Sequence, residues 1–207
     1  MTIPAKPSGS ADFWDQRYME PGWAYGTEPN DFLKEEAHRL PLGEMLCLAE
    51  GEGRNAVHLA GRGHQVEAVD QSAPGLDKAR KLAEARGLQI RTTVADLEDF
   101  DPGLSRWQGI VSIFAHLPTS LRRTVHQRMV GALAPGGILL LEAYAPAQLA
   151  LGTGGPQDKD LYCTLEELVE DFTGLDPLVA RSINRNPHEG KYHQGQGAML
   201  QFVGRKP

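Results

Sequence analysis

A glycine-rich turn between two short apolar segments constrains the fold of this chain more than any other feature. The apolar run 46–48 leads into Gly51 and Gly53 and then into a helix-like pattern. A second apolar run, 65–69, ends on Asp70. This order predicts a βαβ unit, in which glycines let a ligand approach the backbone and the helix N-terminus offers free N–H groups. A carboxylate roughly 20 residues after such a turn reaches the ribose hydroxyls of a nucleotide-like ligand.

The turn also carries two carboxylates, Glu50 and Glu52. Beside a diphosphate, each close like-charge pair would cost roughly 1 kcal/mol or more near a protein surface. A ligand with a positive centre and an ammonium group suits these acids better, and S-adenosylmethionine is such a ligand. The sequence therefore favours S-adenosylmethionine at this turn. The alternative is a plain strand-to-helix turn with solvated acids.

Strand-like and helix-like segments alternate along most of the chain, which is typical of a parallel sheet covered on both faces. The predicted strands span residues 44–48, 65–69, 89–94, 107–114, 138–142, 178–184 and 198–204. The predicted helices span residues 31–40, 55–62, 75–86, 121–133 and 165–172. We therefore predict an α/β fold, a Rossmann-like three-layer sandwich. Its seven-stranded sheet is mostly parallel and carries a C-terminal antiparallel hairpin.

The chain length is sufficient for one domain with a substantial core. We expect this domain to span residues 11–207 behind a disordered tail, residues 1–10, that is rich in Pro, Ser and Gly. Within the domain we expect an N-terminal lid over 11–43, a cofactor-binding half over 44–145 and a substrate-side half over 146–207.

Composition and charge argue against several classes of protein. Hydrophobic residues at 41% and charged residues at 23% are typical of a soluble globular chain. The net charge of −6 argues against a nucleic-acid or anionic-membrane partner, which a basic patch usually meets. Cys47 and Cys163 provide neither a disulfide framework nor a metal-ligand spacing, so no metal is predicted. With no signal peptide or membrane span visible, we expect a cytoplasmic monomer or weak homodimer that acts on a small molecule.

The order of these motifs resembles a class I S-adenosylmethionine-dependent methyltransferase. The resemblance rests on the glycine turn, on acids after the second and third strands, on L-A-P-G-G before the fifth strand and on the terminal hairpin. It covers nearly the whole chain. Within that superfamily, Y-G-T-E-P-N-D-F-L and C-L-A-E-G-E-G-R-N-A-V-H-L-A resemble small bacterial enzymes related to the tellurite-resistance and thiopurine-methyltransferase groups.

Two positions depart from the superfamily's loop pattern D-x-G-x-G-x-G. Cys47 stands in place of its acid and Ala49 in place of its first glycine. Since that acid often orients the loop or reaches the methionine ammonium through water, Glu50 or Glu52 is the candidate to take over its role. Cys47 lies in an apolar strand, where cysteine behaves as a small buried hydrophobe.

The resemblance implies a cofactor site at the ends of the first four strands. Asp70 would accept hydrogen bonds from the ribose hydroxyls. Asp96 would accept from the adenine amine while the backbone N–H of Leu97 donates to the ring, although Asp96 could instead cap the turn that follows it. The predicted cofactor-binding residues are Tyr25, Ala49, Glu50, Gly51, Gly53, Arg54, Asn55, Asp70, Gln71, Ser72, Asp96, Leu97 and Ala115.

Three residues are candidates for catalysis: His116 after the fourth strand, Tyr144 after the fifth, and His188 in the hairpin. The hairpin loop, which also carries Tyr192 and His193, borders the substrate pocket in small-molecule methyltransferases. His116 and Tyr144 follow the carboxyl ends of predicted strands, where ligands gather in open α/β sheets. Each candidate has a structural alternative, because a lone histidine is more often structural and a glycine-rich loop can be a solvent-facing turn.

Aromatic residues are concentrated near the N-terminus, at Trp14, Tyr18, Trp23 and Tyr25. They could form a lid over the sulfonium, with cation–π contact worth roughly 0.5–2 kcal/mol. They could equally form a hydrophobic plug against the sheet. We expect a mixture, in which Trp14 packs and Tyr25 approaches the cofactor.

Methyl transfer depends on orientation and a dry pocket, since the cofactor carries the activated group. No tight acid–base constellation stands out in the sequence. A soft nucleophile is therefore the predicted acceptor, either a thiol or a selenium or tellurium oxyanion. Two alternatives remain open: a non-catalytic S-adenosylmethionine-binding module and, with a poorer match, a nicotinamide-dependent oxidoreductase.

Overall fold

The computed structural model describes residues 9–207, so most of the predicted tail lies outside the described residues. The strands are β1 Glu44–Leu48, β2 Gln65–Asp70, β3 Arg91–Val94, β4 Trp107–Ile113, β5 Leu133–Tyr144, β6 Asp176–Arg185, β7 His188–Glu189, β8 His193–Gln194 and β9 Gly197–Arg205. The α-helices are α1 Ala11–Met19, α2 Asp31–Glu36, α3 Arg54–Gly61, α4 Ala73–Ala85, α5 Thr119–Ala132, α6 Gln148–Leu151 and α7 Leu165–Asp171. Short 3₁₀ helices span Ala37–Arg39 and Lys159–Leu161.

Seven strands form one sheet in the order β3-β2-β1-β4-β5-β9-β6. Strands β1 to β5 run parallel to one another, whereas β9 is antiparallel to both β5 and β6. The remaining two strands, β7 and β8, pair with each other in a separate small hairpin. The predicted fold class is confirmed, including the antiparallel hairpin at the C-terminal end.

Polar side chains cap the N-termini of several helices. Ser72 caps α4, Asn30 caps α2, and Thr164 forms a capping box with Glu167 at α7. Ser10, which the sequence places in the disordered tail, caps α1 instead, so the ordered chain begins earlier than expected.

Two predicted elements differ from those observed by more than two residues or in type. The helix expected over 31–40 is α-helical only to Glu36 and then tightens into a 3₁₀ turn. The strand expected to begin at residue 138 begins at Leu133, because the turn 134–137 forms an irregularity opposite Trp107 and does not end the pairing.

Two apolar cores cover the two faces of the sheet. Helices α5 and α7 bury Met129 and Leu168 on one face, and α2, α3 and α4 bury Phe32, Leu59 and Leu76 on the other. Each such side chain stabilises the fold by roughly 1.5–3 kcal/mol. The parallel strands between these cores bring the carboxyl ends of β1, β2, β4 and β5 to one edge. Within residues 9–207, no helix is both long and apolar enough to cross a bilayer.

Candidate active site

The turn after β1 requires its glycines for packing as well as for ligand approach. Gly51 and Gly53 have φ angles of 60° and 86°, in the left-handed region. A Cβ at Gly53 would lie 2.4 Å from the Cβ of Ala79, so glycine lets the start of α3 approach α4. Ala49 also holds a left-handed φ, 50°, which is costly for a residue with a Cβ.

Glu50 serves the first turn of α3. Its Oε1 accepts hydrogen bonds from the backbone N–H groups of Asn55 at 2.9 Å and Ala56 at 2.8 Å. The residue before α3, Gly53, has no side chain to cap the helix, so Glu50 supplies the missing acceptor. Burial raises the pKa of Glu50 to about 7. Burial also raises the pKa of the Cys47 thiol well above its usual value, as expected for an inert core cysteine.

Glu52 binds the N-terminal segment. Its Oε2 accepts from the backbone N–H of Ala24 at 2.7 Å, and its Oε1 pairs with Lys78 Nζ at 2.8 Å. Both oxygens are therefore engaged. Glu50, which commits only one oxygen to the helix, is left as the better candidate for the methionine ammonium.

Asp70 lies at the end of β2, where its carboxylate joins two turns. Its Oδ2 accepts from Gly51 N and its Oδ1 from Ser72 N, both at 2.8 Å. Burial raises the pKa of Asp70 to about 6, although these two hydrogen bonds oppose the shift. Each oxygen retains a second lone pair that a ribose hydroxyl could use. Ser72 caps α4, while Gln71 donates to Gly9 O at 2.9 Å in an exposed position.

Asp96 is exposed and caps the turn after β3. Its Oδ1 accepts from the backbone N–H of Glu98 at 2.9 Å, which is the structural alternative considered for this residue. Its other oxygen is not used by that turn, so the adenine role stays a prediction. Leu97 is buried beside it, and Ala115 lies partly buried after β4.

Helix α1 covers the glycine turn. A Cβ on Gly51 would lie 2.4 Å from the Tyr18 hydroxyl, so this ring sits directly against the turn. Trp14 stacks on Tyr18 with ring centroids 5.6 Å apart. Trp23 packs elsewhere, against an apolar cluster that includes Val57. The N-terminal aromatics thus divide between covering the turn and sealing the helices.

Five rings from distant segments meet beyond the ends of β4 and β5. We call them the aromatic cluster: Tyr25, Phe114, His116, Tyr144 and His193. The His193 ring centroid is 4.5 Å from that of Tyr25 and 4.4 Å from that of Phe114. His116 stacks on Tyr144 at 5.5 Å, with 9° between the ring planes. The cluster provides flat, mostly apolar walls at the edge of the sheet where β1 carries its glycine turn.

The predicted catalytic residues separate into two groups. His116 and Tyr144 lie in the aromatic cluster, but His188 is exposed and its Nδ1 is 3.1 Å from Asn186 O. His193 is the hairpin histidine that enters the cluster. The pairing of β7 with β8 places Glu189 opposite His193, which brings both onto one face of the hairpin.

Buried ion pairs, not predicted from the sequence, hold the hairpin against the site. Glu189 pairs with Arg54 at 2.6 Å and with Arg185 at 2.8 Å, and Asn30 Nδ2 donates to it at 3.1 Å. Burial alone would raise the pKa of Glu189, but His193, Arg54 and Arg185 hold it well below its usual value. Arg185 also pairs with Glu142, which is fully buried in β5.

One sequence signal could have pointed to this network. Glu142 ends the most apolar strand segment of the chain, and a carboxylate buried among apolar residues requires charged or hydrogen-bonding partners. Gln201 Nε2 on β9 and the Arg185 guanidinium on β6 provide them. Arg185 is 43 residues and Gln201 is 59 residues away from Glu142 in sequence, so the pattern alone does not identify them.

Three buried polar atoms at this edge have no hydrogen-bond partner within residues 9–207: Arg54 Nη1, His116 Nε2 and His193 Nδ1. His193 Nδ1 is 3.6 Å from Glu189 Oε2, which is too long for a hydrogen bond. Leaving buried polar groups unpaired costs about 1–3 kcal/mol each. Their concentration here, at the edge of the sheet that carries the glycine turn, fits a polar ligand that carries a carboxylate and hydroxyl groups.

Comparison with known proteins agrees with this geometry. Residues 45–137 match the family model described as a methyltransferase domain. A 2-heptyl-1-hydroxyquinolin-4(1H)-one methyltransferase of Mycobacteroides abscessus is 28% identical over 83% of this chain and 77% of its own length. The tRNA 5-carboxymethoxyuridine methyltransferase of Escherichia coli K12 is 34% identical, over 48% of this chain and 40% of its own length.

Among solved structures, TehB from Haemophilus influenzae superimposes with a TM-score of 0.72 at 17% identity. The alignment covers 95% of this chain and 67% of TehB. At this low identity, the superposition shows a shared fold alone. The substrate of this chain must therefore be argued from its own site.

Proposed function

We propose that this chain, a class I S-adenosylmethionine-dependent methyltransferase, methylates a small-molecule acceptor at a soft nucleophilic atom. A thiolate is the first candidate, and selenium or tellurium oxyanions are its inorganic counterparts. The net charge of −6 favours a small molecule over tRNA, because nucleic-acid partners usually meet a basic surface. The proposal extends the family's reaction, methyl transfer from S-adenosylmethionine, to a class of acceptor.

The cofactor site follows from the residues at the ends of β1 and β2. Asp70 would hold the ribose, the glycine turn would lie along the methionine portion, and Arg54 Nη1 would donate to the carboxylate. When bound, S-adenosylmethionine supplies an activated methyl group. The aromatic cluster would exclude water and orient a flat acceptor against the cofactor.

The weakness of the basic groups in the aromatic cluster and in the β7–β8 hairpin is the observation that carries the proposal. Burial lowers the pKa of His116 to about 4 and raises that of Tyr144, so neither removes a proton from an alcohol or amine near pH 7. Burial likewise lowers the pKa of His193, and the guanidinium groups beside Glu189 make its carboxylate a poor base. An acceptor that ionises readily by itself suits such a site.

A second candidate is a hydroxyl on a planar ring. The Mycobacteroides relative is named for a hydroxyquinolinone, and the flat walls of the aromatic cluster would accommodate such a ring. The two candidates differ in their need for a base, and therefore in how turnover depends on pH.

The test is an acceptor screen with purified protein, in which S-adenosylhomocysteine is quantified by chromatography. Thiophenol, selenite and tellurite represent soft acceptors, phenol is the matched hydroxyl compound, and unmodified tRNA is included. We expect thiophenol to be methylated at least about 10-fold faster than phenol, with Asp70→Ala as the inactive control. Faster turnover of phenol or tRNA would contradict the proposal, as would a lack of soft-acceptor turnover by protein that binds the cofactor.

A further inference from the structure

The unpaired Nε2 of His116 has a defined hydrogen-bonding role. We infer that His116 is a specificity-determining residue that accepts a hydrogen bond from the acceptor, selecting planar molecules with an N–H or O–H donor beside the methyl-accepting atom. This inference rests on the proposed function, because it concerns the acceptor pocket of the same site. It adds a requirement on the substrate that the soft-nucleophile argument does not contain.

The tautomer of His116 follows from its one hydrogen bond. Its Nδ1 lies 3.3 Å from the backbone carbonyl oxygen of Leu161. A carbonyl only accepts hydrogen bonds, so Nδ1 must carry the proton. In a neutral imidazole the other nitrogen, Nε2, then presents a lone pair.

The His116 ring is neutral over the pH range in which such an enzyme works. Burial lowers the pKa of His116 to about 4, the hydrogen bond to Leu161 opposes the shift, and His193 adds to it. Nε2 is therefore an acceptor and not a donor near pH 7. The same low pKa makes it a poor proton acceptor, so its role is recognition and not general-base catalysis.

The orientation of the ring is fixed by its neighbours. His116 stacks almost parallel on Tyr144 and contacts Tyr162 with ring centroids 5.9 Å apart. Phe114, two residues earlier, holds a left-handed φ of 58° that turns the chain at the end of β4. The backbone and two aromatic rings thus hold the lone pair of Nε2 in one direction.

Because Nε2 of His116 has no hydrogen-bond partner within residues 9–207, it can discriminate between ligands with and without a donor. This nitrogen is buried, so the free-energy cost of removing it from water is already present in the unbound protein. A ligand that offers a donor satisfies the nitrogen, whereas a ligand with a methyl group there leaves it buried and unpaired. Sites of this type discriminate strongly against analogues that lack the matching polar group.

Binding calorimetry on protein saturated with S-adenosylhomocysteine tests this without requiring turnover. The probes are benzimidazol-2-one, which carries two ring N–H donors, and its 1,3-dimethyl derivative, which carries none. We expect the wild-type protein to bind the N–H compound about 10-fold more tightly. His116→Phe, which keeps a flat ring beside Tyr144, should remove most of this preference, while His116→Gln, whose amide oxygen accepts, should retain part of it.

The variants also control for the size of the two methyl groups, since a steric penalty would persist in His116→Phe. Equal binding of the probes by wild-type protein, binding of neither, or an unchanged preference in His116→Phe would overturn the inference. Failure of the proposed function looks different. In that case His116 discriminates between the probes, but thiophenol and the oxyanions are not methylated.

Discussion

The proposed site has two parts that are built on different principles: a cofactor half at the ends of β1 and β2, and an acceptor half beyond β4 and β5. At the ends of β1 and β2, Glu50 and Asp70 accept hydrogen bonds from backbone N–H groups of the two strand-to-helix turns. Beyond β4 and β5, the site is assembled from side chains distant in sequence, and His116 Nε2 and His193 Nδ1 have no hydrogen-bond partner within residues 9–207. The first half is a rigid backbone cradle suited to one constant cofactor. The second is a set of side chains whose replacement could change the acceptor.

The largest expected effect concerns the buried ion pairs of the acceptor half. Glu189→Ala would leave the guanidinium groups of Arg54 and Arg185 without their shared carboxylate, which should lower the free energy of unfolding by about 3–5 kcal/mol. Urea denaturation monitored by circular dichroism measures this. The matched control is Asp77→Ala, which removes an exposed ion pair with Arg80 and should cost less than about 1 kcal/mol. Equal effects would mean that the buried network adds nothing.

The next effect concerns the cofactor half. Asp70→Ala should weaken binding of S-adenosylmethionine and S-adenosylhomocysteine by at least about 100-fold, since two charge-assisted hydrogen bonds to ribose would be lost. Calorimetric titration measures it, with NAD as a ligand that should not bind. The control Lys81→Ala removes an exposed side chain of α4 that lies outside the predicted site and should bind the cofactor almost normally. A loss of binding in both variants would point to general damage of the fold.

A pH effect should come from Glu50. Its pKa is about 7 in the folded protein against 4.5 as the ordinary value, so the folded state holds the proton more tightly. The stability associated with this proton is fully present below about pH 4.5 and is lost as the pH rises through 7, and the loss between pH 5.5 and 8 is on the order of 2 kcal/mol. Urea unfolding at pH 5.5 and 8 should therefore show a decrease that Glu50→Gln reduces. Glu84→Gln, on the exposed face of α4, should leave the decrease unchanged.

The smallest expected effect is the difference in stability between two glycine substitutions, one in the glycine turn and one outside it. This difference separates the cost of tight packing from the cost of an unfavourable backbone conformation. Gly53→Ala places a Cβ against Ala79 and should cost about 2 kcal/mol. Gly87→Ala has a similar left-handed φ, 69°, with open space around it, and should cost only about 1 kcal/mol. Thermal unfolding of the two variants measures the difference. Equal losses would show that the approach of α3 to α4 is not tight.

Sequence reasoning succeeded where the determinants are local. Strand β1 was predicted at its observed bounds and helix α7 within one residue of its bounds, because hydrophobic periodicity depends on neighbouring residues. The placement of Asp70 at the end of β2 followed from the same local logic. The fold class needed only the order of such elements.

The acceptor half could not be derived in the same way. His188 and His193 look equivalent in sequence, and only the pairing of two-residue strands decides which one enters the aromatic cluster. Glu189 finds Arg54 across 135 residues, a distance over which no periodic pattern carries information. Side chains that meet through long-range contacts are therefore the part that the structure alone could reveal.

The position of β9 between β5 and β6 has a consequence for synthesis on the ribosome. This strand is made after the other eight, yet it fills an interior place in the sheet. Until it emerges, β5 and β6 both present unpaired backbone edges of the kind that promotes association between nascent chains. A chain whose translation stops before residue 197 should therefore be aggregation-prone and sensitive to proteases, even when the glycine turn after β1 has formed.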